Sequence, residues 1–121
     1  MIRDKTGLWG EIYTSRYMRE MGMDIYCANY KCRMGEIDLA SLYGGYFCVV
    51  EVKTRHYGSD RAPSDSVDRK KRERIAATTA FLMKHEGIVA PVRFDVVEVW
   101  LGEDYRLVEI NYIENAYESG E

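Results

Sequence analysis

What this sequence lacks narrows the field before anything it contains. No apolar run approaches the roughly 18 residues that would cross a bilayer. The opening Met1-Ile2-Arg3-Asp4-Lys5 has none of the apolar core that a cleaved secretory leader needs. Cysteine is scarce: Cys27, Cys32 and Cys48 are odd in number and lack C-x-x-C spacing. Neither a disulfide framework nor a zinc knuckle is expected from them, and a reducing, cytoplasmic setting without a membrane partner suits them. Proline occurs only at Pro63 and Pro91, each just ahead of an expected element rather than inside one. No repeat, low-complexity tract or linker divides the 121 residues, a length that fits one domain over 1–121.

Excess positive charge is missing too. The chain carries 17 Lys+Arg against 20 Asp+Glu, a formal net charge of -3, which disfavours indiscriminate nucleic-acid binding. That total hides a gradient. Residues 1–52 hold six basic and seven acidic groups, and residues 75–121 hold three basic and nine acidic. Between them, residues 53–74 hold eight basic groups (Lys53, Arg55, Arg61, Arg69, Lys70, Lys71, Arg72, Arg74) and four acidic ones. A polyanion would meet one favourable stretch, because charges beyond about a Debye length are screened. Taken alone, Arg69-Lys70-Lys71-Arg72 reads as the solvated face of a helix.

Patterning gives the order α-β-β-β-α-β-β. Residues 6–21 read as a helix, with Thr6 as its N-cap and Gly22 placed to stop it. A short strand is expected at 24–29. Two β-rich runs, 36–43 and 46–54, flank Gly44-Gly45, the signal of a tight hairpin. Residues 66–85 are helical, with Val67, Lys71, Ile75, Thr78 and Leu82 on one stripe. Strands at 92–100 and 105–112 complete the chain. The hairpin is antiparallel, and the helix after it can return the chain parallel to the third strand. A central mixed sheet flanked by helices, an α/β architecture, is expected.

The hairpin register carries the chemistry. A symmetric turn pairs Tyr43 with Tyr46, which sets Asp38 opposite Glu51 and Glu36 opposite Lys53, all four on one face. A bland account has Glu36–Lys53 as a cross-strand salt bridge with Asp38 reaching water at an edge. It leaves Asp38–Glu51, two like charges face to face, without a reason. A divalent metal supplies one, because hard carboxylate oxygens bind Mg²⁺ or Mn²⁺ and the ion cancels the repulsion. On the first helix, Glu11 heads the stripe Glu11, Thr14, Ser15, Met18. Lys71 is expected to point inward while Arg69, Lys70 and Arg72 spread around it; snorkelling at a core margin is the commoner fate of such a lysine.

Asp38 followed by a strand bearing Glu51-Val52-Lys53 resembles the PD-(D/E)XK nuclease signature. The wider run is more specific. Gly10-Glu11, Asn29 through Leu39, Val50 through Arg55, Lys71, Arg93 through Val97 and the closing Asn115-Ala116-Tyr117 follow in the order of the YraN family. The resemblance covers almost the whole chain and departs from the family modestly: Thr14 stands where alanine is usual, Met18 where leucine is usual, and Ile37 precedes Asp38 in place of the proline. It implies a restriction-endonuclease-like fold related to archaeal Holliday-junction resolvases. It further implies a Mg²⁺- or Mn²⁺-dependent endonuclease acting on DNA, with repair or recombination intermediates as the substrate class.

On that resemblance Asp38 and Glu51 are metal ligands, joined by the Val52 carbonyl and by Glu11 directly or through water. Lys53 is the catalytic lysine, orienting the attacking water or countering charge on the phosphate. Lys71, Lys70, Arg55 and Arg33 are nucleic-acid contacts, which position without reading sequence. The related resolvases are dimers, which brings a homodimer into view without locating its face. Arg93 and Asp95 read as structural rather than catalytic, and His56 and Tyr57 as exposed loop residues. Two other readings stay open: a module that binds nucleic acid without cutting it, and an interaction protein, suggested by ten tyrosines and the acidic last third.

Overall fold

Two helices sandwich one five-stranded sheet. A computed structural model describes residues 4–58 and 68–118. Helix α1 spans Thr6–Glu20, and strands β1 (Asp24–Cys32), β2 (Gly35–Tyr43) and β3 (Tyr46–His56) follow. Helix α2 spans Arg69–Glu86 and leads to β4 (Val92–Leu101) and β5 (Leu107–Tyr117). The expected start of α2 at 66, its stripe residue Val67, and Pro63 and Arg61 lie outside the described residues. The sheet order is β1-β2-β3-β4-β5, antiparallel except for β3 beside β4, which run parallel. The element order and the parallel return after α2 are those the sequence predicts, and no helix among the described residues is long and apolar enough to cross a membrane.

Alternation along β3 explains why both faces are covered. Phe47 and Val49 join Ile75 and Leu82 of α2 in one buried cluster. Cys48 and Val50 join Met18 of α1 in the other. A central strand apolar on both faces is what a parallel pair under helices requires. Close approach of α1 depends on Gly10, where an added Cβ would lie 1.8 Å from Thr54 Oγ1 of β3.

Helix ends follow local chemistry, with one correction. Thr6 is not the cap; it is the first helical residue, and Lys5 before it makes no side-chain bond. Asp4 does the work instead, its carboxylate accepting the Thr6 N–H at 3.0 Å and the Thr6 hydroxyl at 2.6 Å. Gly22 stops α1 as expected: with φ at 87°, its N–H donates to the Arg19 carbonyl and that of Met23 to the Met18 carbonyl. Helix α2 is capped by Asp68, whose side chain accepts the Lys71 N–H at 2.8 Å, and ends at Gly87 in the left-handed region. The last strand runs later than expected. Residues 103–105 form a short 3₁₀ turn with Asp104 and Tyr105 at positive φ, and β5 extends through Asn115, also at positive φ, to Tyr117.

Candidate functional site

The hairpin pairs as its turn dictates, from Tyr43 with Tyr46 to Leu39 with Val50, and there its ladder ends. Continuing the register would set Val52 opposite Ile37. The Val52 N–H instead donates to Asp38 Oδ2 at 2.9 Å, so a side chain takes the place of a backbone acceptor. Beyond this point β2 pairs only with β1, through Glu36 with Lys31, while β3 continues only beside β4. The two strands part like a fork. Alternation slips at the same place: Ile37 packs in the α2-side cluster and Leu39, two residues on, in the α1-side cluster. Asp38 sits at the crotch of that fork.

A polar cleft of about 350 Å³ opens there, lined by Glu11 of α1, Glu36 and Asp38 of β2, Glu51 through Arg55 of β3, and Lys71 of α2. Glu51 and Lys53 are 7% and 5% exposed, charges held in a nearly sealed wall. They pair with each other. Glu51 Oε1 accepts from Lys53 Nζ at 3.2 Å and from Lys71 Nζ at 2.5 Å. Lys71 therefore points inward. The cross-strand bridge from Glu36 to Lys53 is not formed, because β2 has left β3 by then; Glu36 is exposed and nearest to Lys31, at 3.9 Å.

Burial pushes the Asp38 carboxyl up to about 7, the nearby Glu51 and Glu11 carboxylates add to it, and the Val52 N–H pulls it back. Glu11 is raised in the same way, chiefly by burial, although its hydrogen bond with Asn29 opposes the rise. Lys53 is lowered by burial, with the Lys71 ammonium adding to the effect. Lys71 is raised: burial is the largest single influence and opposes its charge, but the bond to Glu51 together with the Glu51 and Asp38 charges and Lys53 outweighs it. Carboxylates short of positive charge and lysines competing for one oxygen together describe a site with room for a cation.

Not every expected residue reaches the cleft. Arg55 lines it, its guanidinium donating to the Thr54 carbonyl at 2.8 Å. Lys70 is exposed on α2 and lines a shallower depression with Met34, Glu73, Arg74 and Ala77, while Arg33 is exposed in the β1–β2 turn. Asn29 is a neighbour to which sequence reading gave no role: it adopts a φ of 53° on β1, and its side chain favours the ionised form of Glu11. Its advance signals are its place at the head of the run shared with the YraN family and the tolerance of asparagine for this backbone region. Arg93 and Asp95 lie elsewhere, in a buried structural pair. Arg93 holds Asp95 with bonds of 3.0 and 2.9 Å, and Asp95, 0% exposed, also accepts from the Tyr112 hydroxyl and the Asn115 N–H.

The donor set at the fork suits a hard divalent ion. Asp38 and Glu51 offer carboxylate oxygens whose mutual repulsion such an ion would relieve. Among the described residues no three His, Cys, Asp or Glu side chains form a closed cage. An open site of two carboxylates is the form Mg²⁺ commonly takes, keeping waters and adding a phosphate ligand from substrate.

A small α/β domain with an open carboxylate–lysine cleft is the class that fold and site define. The chain belongs to the UPF0102 family, the YraN family that its motifs resemble: the family model described as "Uncharacterised protein family UPF0102" matches residues 10–99. It is similar to a UPF0102 protein of Moorella thermoacetica, 33% identical over 97% of this chain and 98% of the relative. It is likewise similar to one of Caldanaerobacter subterraneus, 35% identical over 96% and 98%, and one of Lachnoclostridium phytofermentans, 36% identical over 90% and 93%.

Proposed function

We propose that this protein is a metal-dependent nuclease of the PD-(D/E)XK type that hydrolyses phosphodiester bonds in DNA, with branched repair or recombination intermediates as its substrates. One observation carries the reading: the fork between β2 and β3, which gathers Asp38, Glu51 and Lys53 into one cleft.

Asp38 and Glu51 would hold Mg²⁺ or Mn²⁺, with the Val52 carbonyl as a further oxygen and Glu11 acting from the cleft wall through water. When bound, the ion lowers the pKa of a coordinated water and stabilises charge on the scissile phosphate. Asp38 must be ionised to take part, and the positive charge of the ion favours that state. Lys53 is pinned by Glu51 at 3.2 Å. Its ammonium stands where it can orient the attacking water or counter negative charge on the phosphate. Lys71 of α2 and Arg55 of β3 both line the cleft and suit contacts to backbone phosphates, which fix position and read no sequence. Several aromatic residues pair with one another: Tyr17 stacks on Tyr112, Tyr105 on Trp9 and Tyr117 on Phe94, while Tyr26, Tyr46 and Tyr57 are exposed.

A second reading, binding without cleavage, draws on the two lysines that already neutralise Glu51. A cleavage panel separates the two. Junction, flap, single-stranded and duplex DNA are offered with Mg²⁺ or Mn²⁺ to the wild-type protein, Asp38→Ala and Lys53→Ala. The nuclease reading expects metal-dependent cleavage that both substitutions abolish; cleavage that survives both comes from a contaminant and sinks it. Salt-sensitive binding indifferent to divalent metal supports the binding module.

A further inference from the structure

Lys71 belongs to two cavities at once. It lines the carboxylate cleft, and it lines a second cleft of about 430 Å³ with Lys31, Arg74, Glu36, Gly35 and Ile75. Glu36 and Lys71 are shared by both, so they form the wall between them. Gly35 lines the second cleft with a φ of 153°, and a Cβ there would come within 3.0 Å of Thr78 Oγ1. Lys31, Arg74 and Lys71 line this space against the one carboxylate of Glu36, which Lys31 approaches at 3.9 Å; with Lys71 turned in, the excess of positive charge suits a phosphodiester.

The ion pairs in the first cleft decide which lysine can move. Glu51 Oε1 carries two ammoniums, Lys53 at 3.2 Å and Lys71 at 2.5 Å. A divalent ion on that carboxylate would add two more charges within a few ångströms of both, and one must withdraw. Lys53 is 5% exposed, with its neighbours packed around it in the middle of the sheet. Lys71 has a side chain 40% exposed, and its backbone N–H is fixed by Asp68, so its flexible stem can turn while the helix stays still.

We propose that Lys71 stands in for a divalent cation on Glu51 while the metal is away. Once a metal binds, Lys71 turns into the second cleft and holds a backbone phosphate of the nucleic acid beside Lys31 and Arg74. The inference rests on the nuclease reading above for the metal carboxylates, and adds an exchange of cations and a phosphate subsite to it. It also couples the two ligands: metal on Glu51 frees the lysine that the strand then uses.

The test uses the full chain and two measurements. Mn²⁺ is titrated against wild type, Lys71→Met and Arg74→Met, followed by thermal unfolding. Lys71→Met is expected to reach its half-maximal shift at about tenfold lower Mn²⁺, because a competing cation is gone; Arg74→Met is expected to match wild type. Binding of a fluorescent DNA duplex is then measured against salt, with and without Ca²⁺. Wild type is expected to gain about 0.9 in salt slope when Ca²⁺ is added, one extra phosphate contact. Lys71→Met is expected to gain none, and Arg74→Met to bind DNA more weakly. Unchanged or weaker Mn²⁺ affinity in Lys71→Met, or an equal gain in salt slope, overturns the exchange and leaves the nuclease reading standing. No Mn²⁺ shift in any of the three proteins removes the metal reading, and this inference with it.

Discussion

Asp38 and Asp95 use one device in two opposite settings. Each carboxylate accepts a backbone N–H where a strand pairing is interrupted, Val52 for Asp38 and Asn115 for Asp95. Asp95 is sealed at 0% exposure, and its partners are complete: a bidentate Arg93, the Tyr112 hydroxyl and the Asn115 amide. Burial there is matched by an opposite charge, which is how a buried carboxylate becomes tolerable. Asp38 has its amide, but its neighbours in charge are Glu51 and Glu11, and its pKa is driven up to about 7 by burial and those carboxylates. The nearby lysines are spent on Glu51. One aspartate is finished as a structural element; the other, on the function proposed above, is the one that would take a cation.

The largest expected effects follow directly. Asp95→Asn is expected to destabilise the fold by about 3–5 kcal/mol in urea unfolding, since it leaves the largely buried Arg93 with only the distant, exposed Glu114 at 3.9 Å as countercharge. Asp38→Asn keeps the shape, removes a poorly compensated charge, and is expected to leave metal-free stability within about 1 kcal/mol of wild type or above it. Cleavage should fall about 10³-fold or more in the same variant. The reverse pattern, with Asp38→Asn unfolding and Asp95→Asn neutral, would break the comparison.

A pH scan sharpens it on an intermediate scale. In the metal-free protein Asp38 keeps its proton up to about pH 7, whereas the unfolded chain releases it near its ordinary value of 3.8. Between those values the folded form binds more protons, so stability is present at low pH and is lost as pH rises toward 7. The slope attributable to Asp38 is at most about 1.4 kcal/mol per pH unit, and Glu11, raised by burial, acts with the same sign. Chemical unfolding from pH 4 to 8 should show this decline, flattened in Asp38→Asn. Mn²⁺ should restore stability most at the high end, because binding requires the ionised carboxylates. A flat wild-type profile would show that Asp38 is already compensated.

Much of this was legible in the chain. The Gly44-Gly45 turn and period-2 arithmetic predict the pairs from Tyr43–Tyr46 to Leu39–Val50, all of which form. They also predict Asp38 directly opposite Glu51; the ladder ends one pair short of that, although both residues line the same cleft. The same arithmetic fails at Glu36–Lys53, because register counting assumes that paired strands stay paired, whereas Asp38 captures the Val52 N–H and the strands part. Lys71 was readable from its place on the Ile75–Leu82 stripe. Arg33 and Lys70 carry the right charge in a basic stretch, but charge counting has no direction, and neither lines the cleft. Around Asp95 the i, i+2 pairing with Arg93 is local and visible. Tyr112 and Asn115 reach it only through the irregular end of β5, where Asn115 at positive φ breaks the alternation.

The smallest expected effects concern the two arginines, one in each setting. Arg93 grips Asp95 with two nitrogens in a fixed fork, and its pKa is raised by that hydrogen bonding against the opposing effect of burial. Lysine cannot reproduce the fork, so Arg93→Lys is expected to lower stability by about 1–2 kcal/mol. Arg55 lines the open cleft and donates to the carbonyl of its own neighbour, Thr54. Arg55→Lys should therefore change stability by less than about 0.5 kcal/mol. Arg55→Ala should instead appear in DNA binding, as a salt slope reduced by about 0.9, the loss of one phosphate contact. If Arg55→Ala destabilised the fold as much as Arg93→Lys and left the salt slope unchanged, the cleft would be structural after all, and Asp38 would be Asp95's unfinished twin rather than its functional opposite.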